Sequence, residues 1–188
     1  MKQNRENPFF ETYRTPFGTP PFDQIETEQY EPAFDEGIWQ LDEEVRAIAD
    51  NTELPTFENT IIALERSGKL LDKVISAFFN VLNAEADDEM MDISQRVSPK
   101  LSESSNNIYL NEQLFARVKS VYDRKDELHL PMEDARLLEK TFEAFCARGA
   151  ALGPEEKEKY RKLSSELSLL SLTFDQNALK DKNRYELL

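Results

Sequence analysis

Residues Thr56 to Leu82 read TFENTIIALERSGKLLDKVISAFFNVL. Thr56 follows Pro55 and is a good helix N-cap. From Phe57 the positions Ile61, Leu64, Gly68, Leu71, Ile75, Phe78 and Leu82 recur at steps of three and four. Such steps return to one face of an α-helix. The spacing predicts a single helical seam of roughly 26 residues with heptad character. Gly68 stands on that seam. A glycine there costs roughly 1 kcal/mol relative to alanine and could end the helix after Ser67. The apolar phase is unchanged on both sides, which favours close approach of a neighbouring helix instead.

The same period runs outward in both directions. Tyr30, Phe34, Ile38, Leu41, Val45 and Ile48 lie on one face of a preceding helix, with Pro32 near its start. A third helix is expected from about Asp87 to Ile108, with Met90, Ile93, Val97, Leu101 and Ile108 inward. Pro99 should kink or divide it. Asn111 caps a fourth helix carrying Leu114, Phe115, Val118, Val121 and Tyr122. Leu130-Pro131 closes a connector before a fifth with Leu137, Leu138, Thr141, Phe142 and Phe145. Gly153-Pro154 reads as a stop and a start. A long sixth helix, about Glu155 to Lys182, sets Tyr160, Leu163, Leu167, Leu170, Phe174 and Asn177 on one seam.

The first 26 residues differ. Pro8, Pro16, Pro20 and Pro21 forbid a regular helix there, while Phe9, Phe10, Tyr13, Phe17 and Phe22 argue against a free tail. The reading is all-α: a bundle of about six helices, several long and antiparallel, with a proline-rich arm. Residues 1–26 form the arm, packed on a helical body of residues 27–188.

Composition narrows function. Lys and Arg total 23 against 37 Asp and Glu, a formal charge of −14. Nucleic-acid binding needs clustered cations, so neither DNA nor RNA is expected as partner. An anionic membrane surface is excluded on the same ground. No apolar run approaches membrane-spanning length. Met1 to Asn7 is polar and unlike a secretory signal. The single cysteine, Cys146, fits a reducing cytoplasm and reads as a small core residue beside Phe142 and Phe145.

Catalytic constellations fail by counting. His129 is the only histidine. A catalytic zinc site takes three protein ligands, usually with two histidines. His129 sits in a connector, Glu127-Leu128-His129-Leu130-Pro131, and reads as a loop histidine. Asp126 and His129 make one carboxylate-x-x-histidine pair, where a di-metal bundle needs two pairs and two further carboxylates. That minority reading predicts bound iron or manganese. No Gly-rich phosphate loop is present. No catalytic, metal or cofactor-binding residue is therefore assigned. The remaining clue is Asn80 and Asn83, two amides in an apolar stretch. They mark a helix boundary, or a satisfied buried amide, or a pair turned toward a peptide-binding channel.

Several blocks in order carry a resemblance. They are Asn7-Pro8-Phe9-Phe10, Thr15-Pro16-Phe17-Gly18-Thr19-Pro20-Pro21-Phe22, and Tyr30-Glu31-Pro32-Ala33-Phe34-Asp35-Glu36-Gly37. Pro55-Thr56-Phe57-Glu58-Asn59-Thr60-Ile61 and Ala63-Leu64-Glu65-Arg66-Ser67-Gly68 follow. Ile108-Tyr109-Leu110-Asn111 and Leu114-Phe115-Ala116-Arg117-Val118 complete the set. The succession resembles the N-terminal region of bacterial peptidyl-dipeptidases (dipeptidyl carboxypeptidases). Their wider family is the thimet oligopeptidase, neurolysin and oligopeptidase A zinc metallopeptidases.

The resemblance implies two helical lobes around a deep channel, with an HExxH zinc site in a catalytic lobe that nothing here matches. It implies an N-terminal fragment of a cytoplasmic enzyme that removes C-terminal dipeptides from short oligopeptides. This part would supply the outer lobe and a channel wall, with Asn80 and Asn83 as candidate wall residues. Zinc would belong to the missing lobe and none to this chain. The ending Tyr185-Glu186-Leu187-Leu188 suits a continuing polypeptide. Apolar surface meant for the catalytic lobe would favour self-association. The alternative is a stand-alone helical interaction module without enzymatic activity.

Overall fold

The computed structural model describes residues 7–85 and 87–183. The readings made above for Met1 to Glu6 and for Tyr185 to Leu188 lie outside them. Among the described residues the chain is helical, with 3-10 turns and no strand. The chain divides into two compact units. One comprises Met1–Gln40, Gly68–Leu101 and Glu166–Leu188, the other Leu41–Ser67 and Ser102–Ser165.

The first unit begins with the arm. Pro8 and Pro16 each open one turn of 3-10 helix, Pro8–Phe10 and Pro16–Gly18, where a missing N–H leaves no bond unmade. Asn7 is buried, accepts from the Phe9 amide at 3.1 Å and donates to the Gln29 carbonyl at 2.8 Å. Phe9 enters the core, its ring 5.2 Å from Tyr30. Phe17 instead is fully exposed, at φ +60°.

Helix α1, Tyr30–Ala49, and helix α3, Lys69–Glu85, give this unit its aromatic centre. Phe78 meets Tyr30 and Phe34 edge-on, at 5.0 and 5.3 Å. Edge-to-face pairs of this kind add roughly 0.5–1.5 kcal/mol each beyond their buried area. Helix α4, Asp88–Tyr109, adds buried Met90, Met91, Ile93 and Val97. Asp87 caps it by accepting from the Met90 amide at 2.8 Å.

In the second unit, which takes the end of α1, the next helical segment opens with a reciprocal cap. The Asn59 amide donates to Thr56 Oγ1, and the Thr56 amide donates to Asn59 Oδ1. Phe57–Ile62 then winds as π-helix and continues as a short α2, Ala63–Glu65. Phe57 and Ile61 pack with Val45, Ile48, Leu114, Val118, Val121, Leu138 and Phe145. Helix α5, Glu112–Tyr122, is capped by Asn111, as its sequence leads one to expect. Helix α6, Met132–Ala147, follows, and Tyr122 stacks on Phe142 with ring centres 3.9 Å apart.

Five expectations need correction. The helix through Gly68 is broken: residues 66–68 form a turn and Gly68 has φ +76°. A left-handed residue ends a helix, and glycine takes that conformation without penalty. The close approach belongs to Gly37, where an added Cβ would stand 3.0 Å from Leu71 Cα.

Pro99 does not divide α4, which runs through it. The roughly 3 kcal/mol cost of an interior proline is outweighed by buried neighbours such as Ile93 and Val97. Cys146 is exposed, because it lies off the face that carries Leu138 and Phe145 into the core.

The stop after α6 is Gly149, not Gly153. Gly149 has φ +88°, its amide donates to the Cys146 carbonyl, and the Ala150 amide donates to the Phe145 carbonyl. That pair of bonds satisfies carbonyls the helix end leaves open. Pro154 does open the last helix, α7, Pro154–Asn183.

The fifth correction concerns the face of α7. Leu163, Leu167, Leu170 and Phe174, expected inward, are 64%, 64%, 67% and 72% exposed. The covered residues are Lys157, Leu172 and Gln176, with Ser164, Ser165 and Ser168 half-buried. The 3-4 seam of leucines therefore lies on the uncovered side.

Candidate functional site

Asn80 and Asn83 sit three apart on α3, opposite the buried Phe78 and Leu82. Both are exposed, so neither is a buried amide, and α3 continues to Glu85, so neither marks its end. The Asn80 amide donates to the Ser76 carbonyl one turn back, at 2.6 Å. Its Oδ1 is the atom left to face outward as acceptor.

The arm and α3 meet at Lys73. Its ammonium donates to the carbonyls of Phe9 at 2.8 Å and Glu11 at 2.6 Å. It also lies over the Tyr13 ring, 3.7 Å from the centre. Three interactions thus hold the arm to α3 through one side chain. Burial pulls the Lys73 ammonium below its ordinary range, and Glu11 opposes that shift. The Tyr13 hydroxyl is buried without a partner. Burial, then neighbouring Tyr30, push the Tyr13 phenol up to about 12. An open cleft of about 930 Å³ lies here, with Phe10, Tyr13, Glu36, Gln40, Lys69 and Lys73 along its walls. Its size suits a small ligand.

His129 lies in the connector between α5 and α6, at φ +46° and exposed. It borders a second cleft with Asp126, Glu133, Arg136 and Glu139. Cys146 does not line that cleft. Among the described residues no group of three or more His, Cys, Asp or Glu is placed to hold a metal ion. The donor set does not fit a catalytic zinc or a di-metal centre: one imidazole stands in a turn, and the helical second pair is absent.

Arg117 is the functional-looking residue that pattern reading passed over. It is 7% exposed. Its guanidinium donates to the carbonyls of Asn51 at 2.5 Å and Glu53 at 3.0 Å, and to Asn59 Oδ1 and Thr60 Oγ1. All four acceptors are uncharged, and Nε is buried without a partner. Arg124 adds a bond to the Pro55 carbonyl at 2.5 Å. Together the two arginines pin the segment from Asn51 to Pro55 onto α5 and the turn that follows it. A signal was present: Arg117 occupies an inward position between Leu114 and Val118.

By fold and by these groups the chain is a helical scaffold with clefts on its units. No protein-family model matches it. Among characterised proteins it is similar to dipeptidyl carboxypeptidase from Escherichia coli, 43% identical over 173 residues, 92% of this chain and 25% of that protein. The corresponding protein of Salmonella typhimurium is 39% identical over the same shares. A thimet-like oligopeptidase of Dictyostelium discoideum is 27% identical over 84% of the chain and 24% of its own length. The chain is thus similar to dipeptidyl carboxypeptidases and, more distantly, to oligopeptidase A, and spans about a quarter of the length of these relatives. Among the described residues no helix is long and apolar enough to cross a membrane.

Proposed function

We propose that this chain is the N-terminal, non-catalytic portion of a cytoplasmic zinc peptidyl-dipeptidase, which releases dipeptides from the C-termini of short oligopeptides. The observation that carries this reading is 43% identity across 92% of the chain to an enzyme of which the match covers 25%. The lone exposed His129 supports placing the metal outside the chain. Here α3 contributes to a channel wall, and the outward Asn80 and Asn83 amides hydrogen-bond the backbone of the passing peptide. The chain by itself leaves apolar surface uncovered and self-associates at high concentration.

The test is a hybrid. The matched quarter of the E. coli enzyme is replaced by this chain, and dipeptide release from an N-blocked tetrapeptide is followed. The hybrid should be active and the 188-residue chain inert with zinc added. Replacing Asn80 and Asn83 by Ala in the hybrid should raise KM several-fold with kcat held. Chelator-sensitive cleavage by the chain alone would overturn the reading, as would a folded, inactive hybrid.

One observation favours a second reading. The exposed leucines of α7 offer a binding face, as a stand-alone interaction module would. That reading requires a gene with no metal-binding helix in the frame beyond Leu188.

A further inference from the structure

The inverted polarity of α7 asks for an explanation. Leu167, Leu170 and Phe174 step by three and four along one face and are 64%, 67% and 72% exposed. Leu163, one turn earlier on the same helix, is exposed to the same degree. The opposite face, turned to the body of the unit, buries Leu172 but is otherwise polar: Gln176 donates to Ser94 Oγ at 3.1 Å and accepts from Gln95 Nε2 at 3.1 Å. A surface helix normally buries its apolar stripe and leaves amides and serines to water. Here the buried face holds one leucine, Leu172, beside hydrogen-bonded polar groups, while Leu163, Leu167 and Leu170 are bare. Both sides of α7 are thus built to be covered, one by this chain and one by something else.

The spacing identifies the kind of cover. A seam stepping by three and four offers holes for the knobs of another α-helix at a shallow crossing angle. The chain accounts for a quarter of the length of its relatives, so most of the family's polypeptide lies beyond what is matched. We propose that Leu167, Leu170 and Phe174 form the docking face for an amphipathic helix from that remaining part of the full-length protein. The inference rests on the family relation and deepens the proposed function by naming where the non-catalytic portion is joined to the rest.

The test compares one triple variant, Leu167→Glu, Leu170→Glu and Phe174→Glu, in two settings. In the 188-residue chain the positions already face water, so helix content and cooperative unfolding should be unchanged. In the E. coli hybrid the same changes should lower the melting temperature by about 5 °C or more. The conservative Phe174→Leu should leave both proteins intact.

Loss of folding in the chain alone would show the face to be internal packing and overturn the proposal. So would a hybrid indifferent to the three glutamates. A tight dimer of the chain, dissolved by the variant while the hybrid is unaffected, would assign the face to a second copy. A hybrid that fails to fold with the unaltered face would count against the fit. A well-folded hybrid without dipeptide release, yet sensitive to the glutamates, would sink the proposed activity and leave the docking face standing.

Discussion

Gly37 on α1 lies against the backbone of Leu71 on α3, so close that a Cβ would stand 3.0 Å from Leu71 Cα and 3.1 Å from its amide nitrogen. Two rigid helical backbones meet there, and neither can yield as a flexible side chain would. Glycine inside a helix ordinarily costs about 0.5–1 kcal/mol relative to alanine. At this position the sign reverses, because the methyl group has no room. Gly37→Ala should destabilise the protein by roughly 1–3 kcal/mol, the usual range for overpacking a filled core. Urea unfolding measures it. A gain in stability would mean that the helices separate at little cost and that the contact does not hold the unit together.

Arg117 makes a different kind of contact. Its charge is buried among four uncharged acceptors, two of them backbone carbonyls of the Asn51 to Pro55 segment. Arg117→Met keeps the stem and removes the donors. The carbonyls of Asn51 and Glu53 then lose their partner, at about 1–3 kcal/mol for each group that stays buried. The expected loss is roughly 2–4 kcal/mol in all, with earlier proteolysis in the 51–55 segment. Arg117→Lys should recover little, since an ammonium cannot reproduce the planar fork. Full stability in the lysine variant would show that the charge alone, not the geometry, fixes the segment.

These two residues also show what could be read in advance. The helices α1, α3, α5 and α6 were legible because Phe34, Phe78, Val118 and Phe145 repeat at helical spacing and are buried where that spacing puts them. The Asn111 and Thr56 caps were legible because their side chains act locally. Gly37 was not, because a close approach depends on the partner helix, which leaves no mark at the glycine itself. The exposed stripe of α7 was not, for a related reason. Periodicity says that leucines share a face, not which neighbour covers it. Gly68 misled in the other direction: the apolar phase survives across a turn, since residues on both sides enter cores. Of the proposed site, only Asn80 and Asn83 came from sequence, whereas Lys73 binding the Phe9 and Glu11 carbonyls joins residues more than sixty positions apart.

Tyr13 gives a prediction with a pH sign. Its hydroxyl is buried and unpartnered, its ring lies beneath the Lys73 ammonium, and burial, then Tyr30, push the phenol from 10.0 up to about 12. Below pH 10 the phenol is protonated in both folded and unfolded chains, so its contribution is fully present. Between pH 10 and about 12 the unfolded chain releases the proton while the folded chain keeps it, and stability falls as pH rises. Lys73, whose ammonium is pulled below 10.5 by burial, titrates nearby with the opposite sign. Because Lys73 and Glu11 are common to both proteins, comparing wild type with Tyr13→Phe isolates the phenol. At neutral pH the phenylalanine variant should match the wild type within about 1 kcal/mol, since it removes an unpaired buried hydroxyl rather than a hydrogen bond. Above pH 10 its stability should decline less steeply. Thermal unfolding followed by circular dichroism from pH 8 to 12 reads both limbs. Parallel decline of the two proteins would show that Tyr13 ionises freely and that the arm does not shield it.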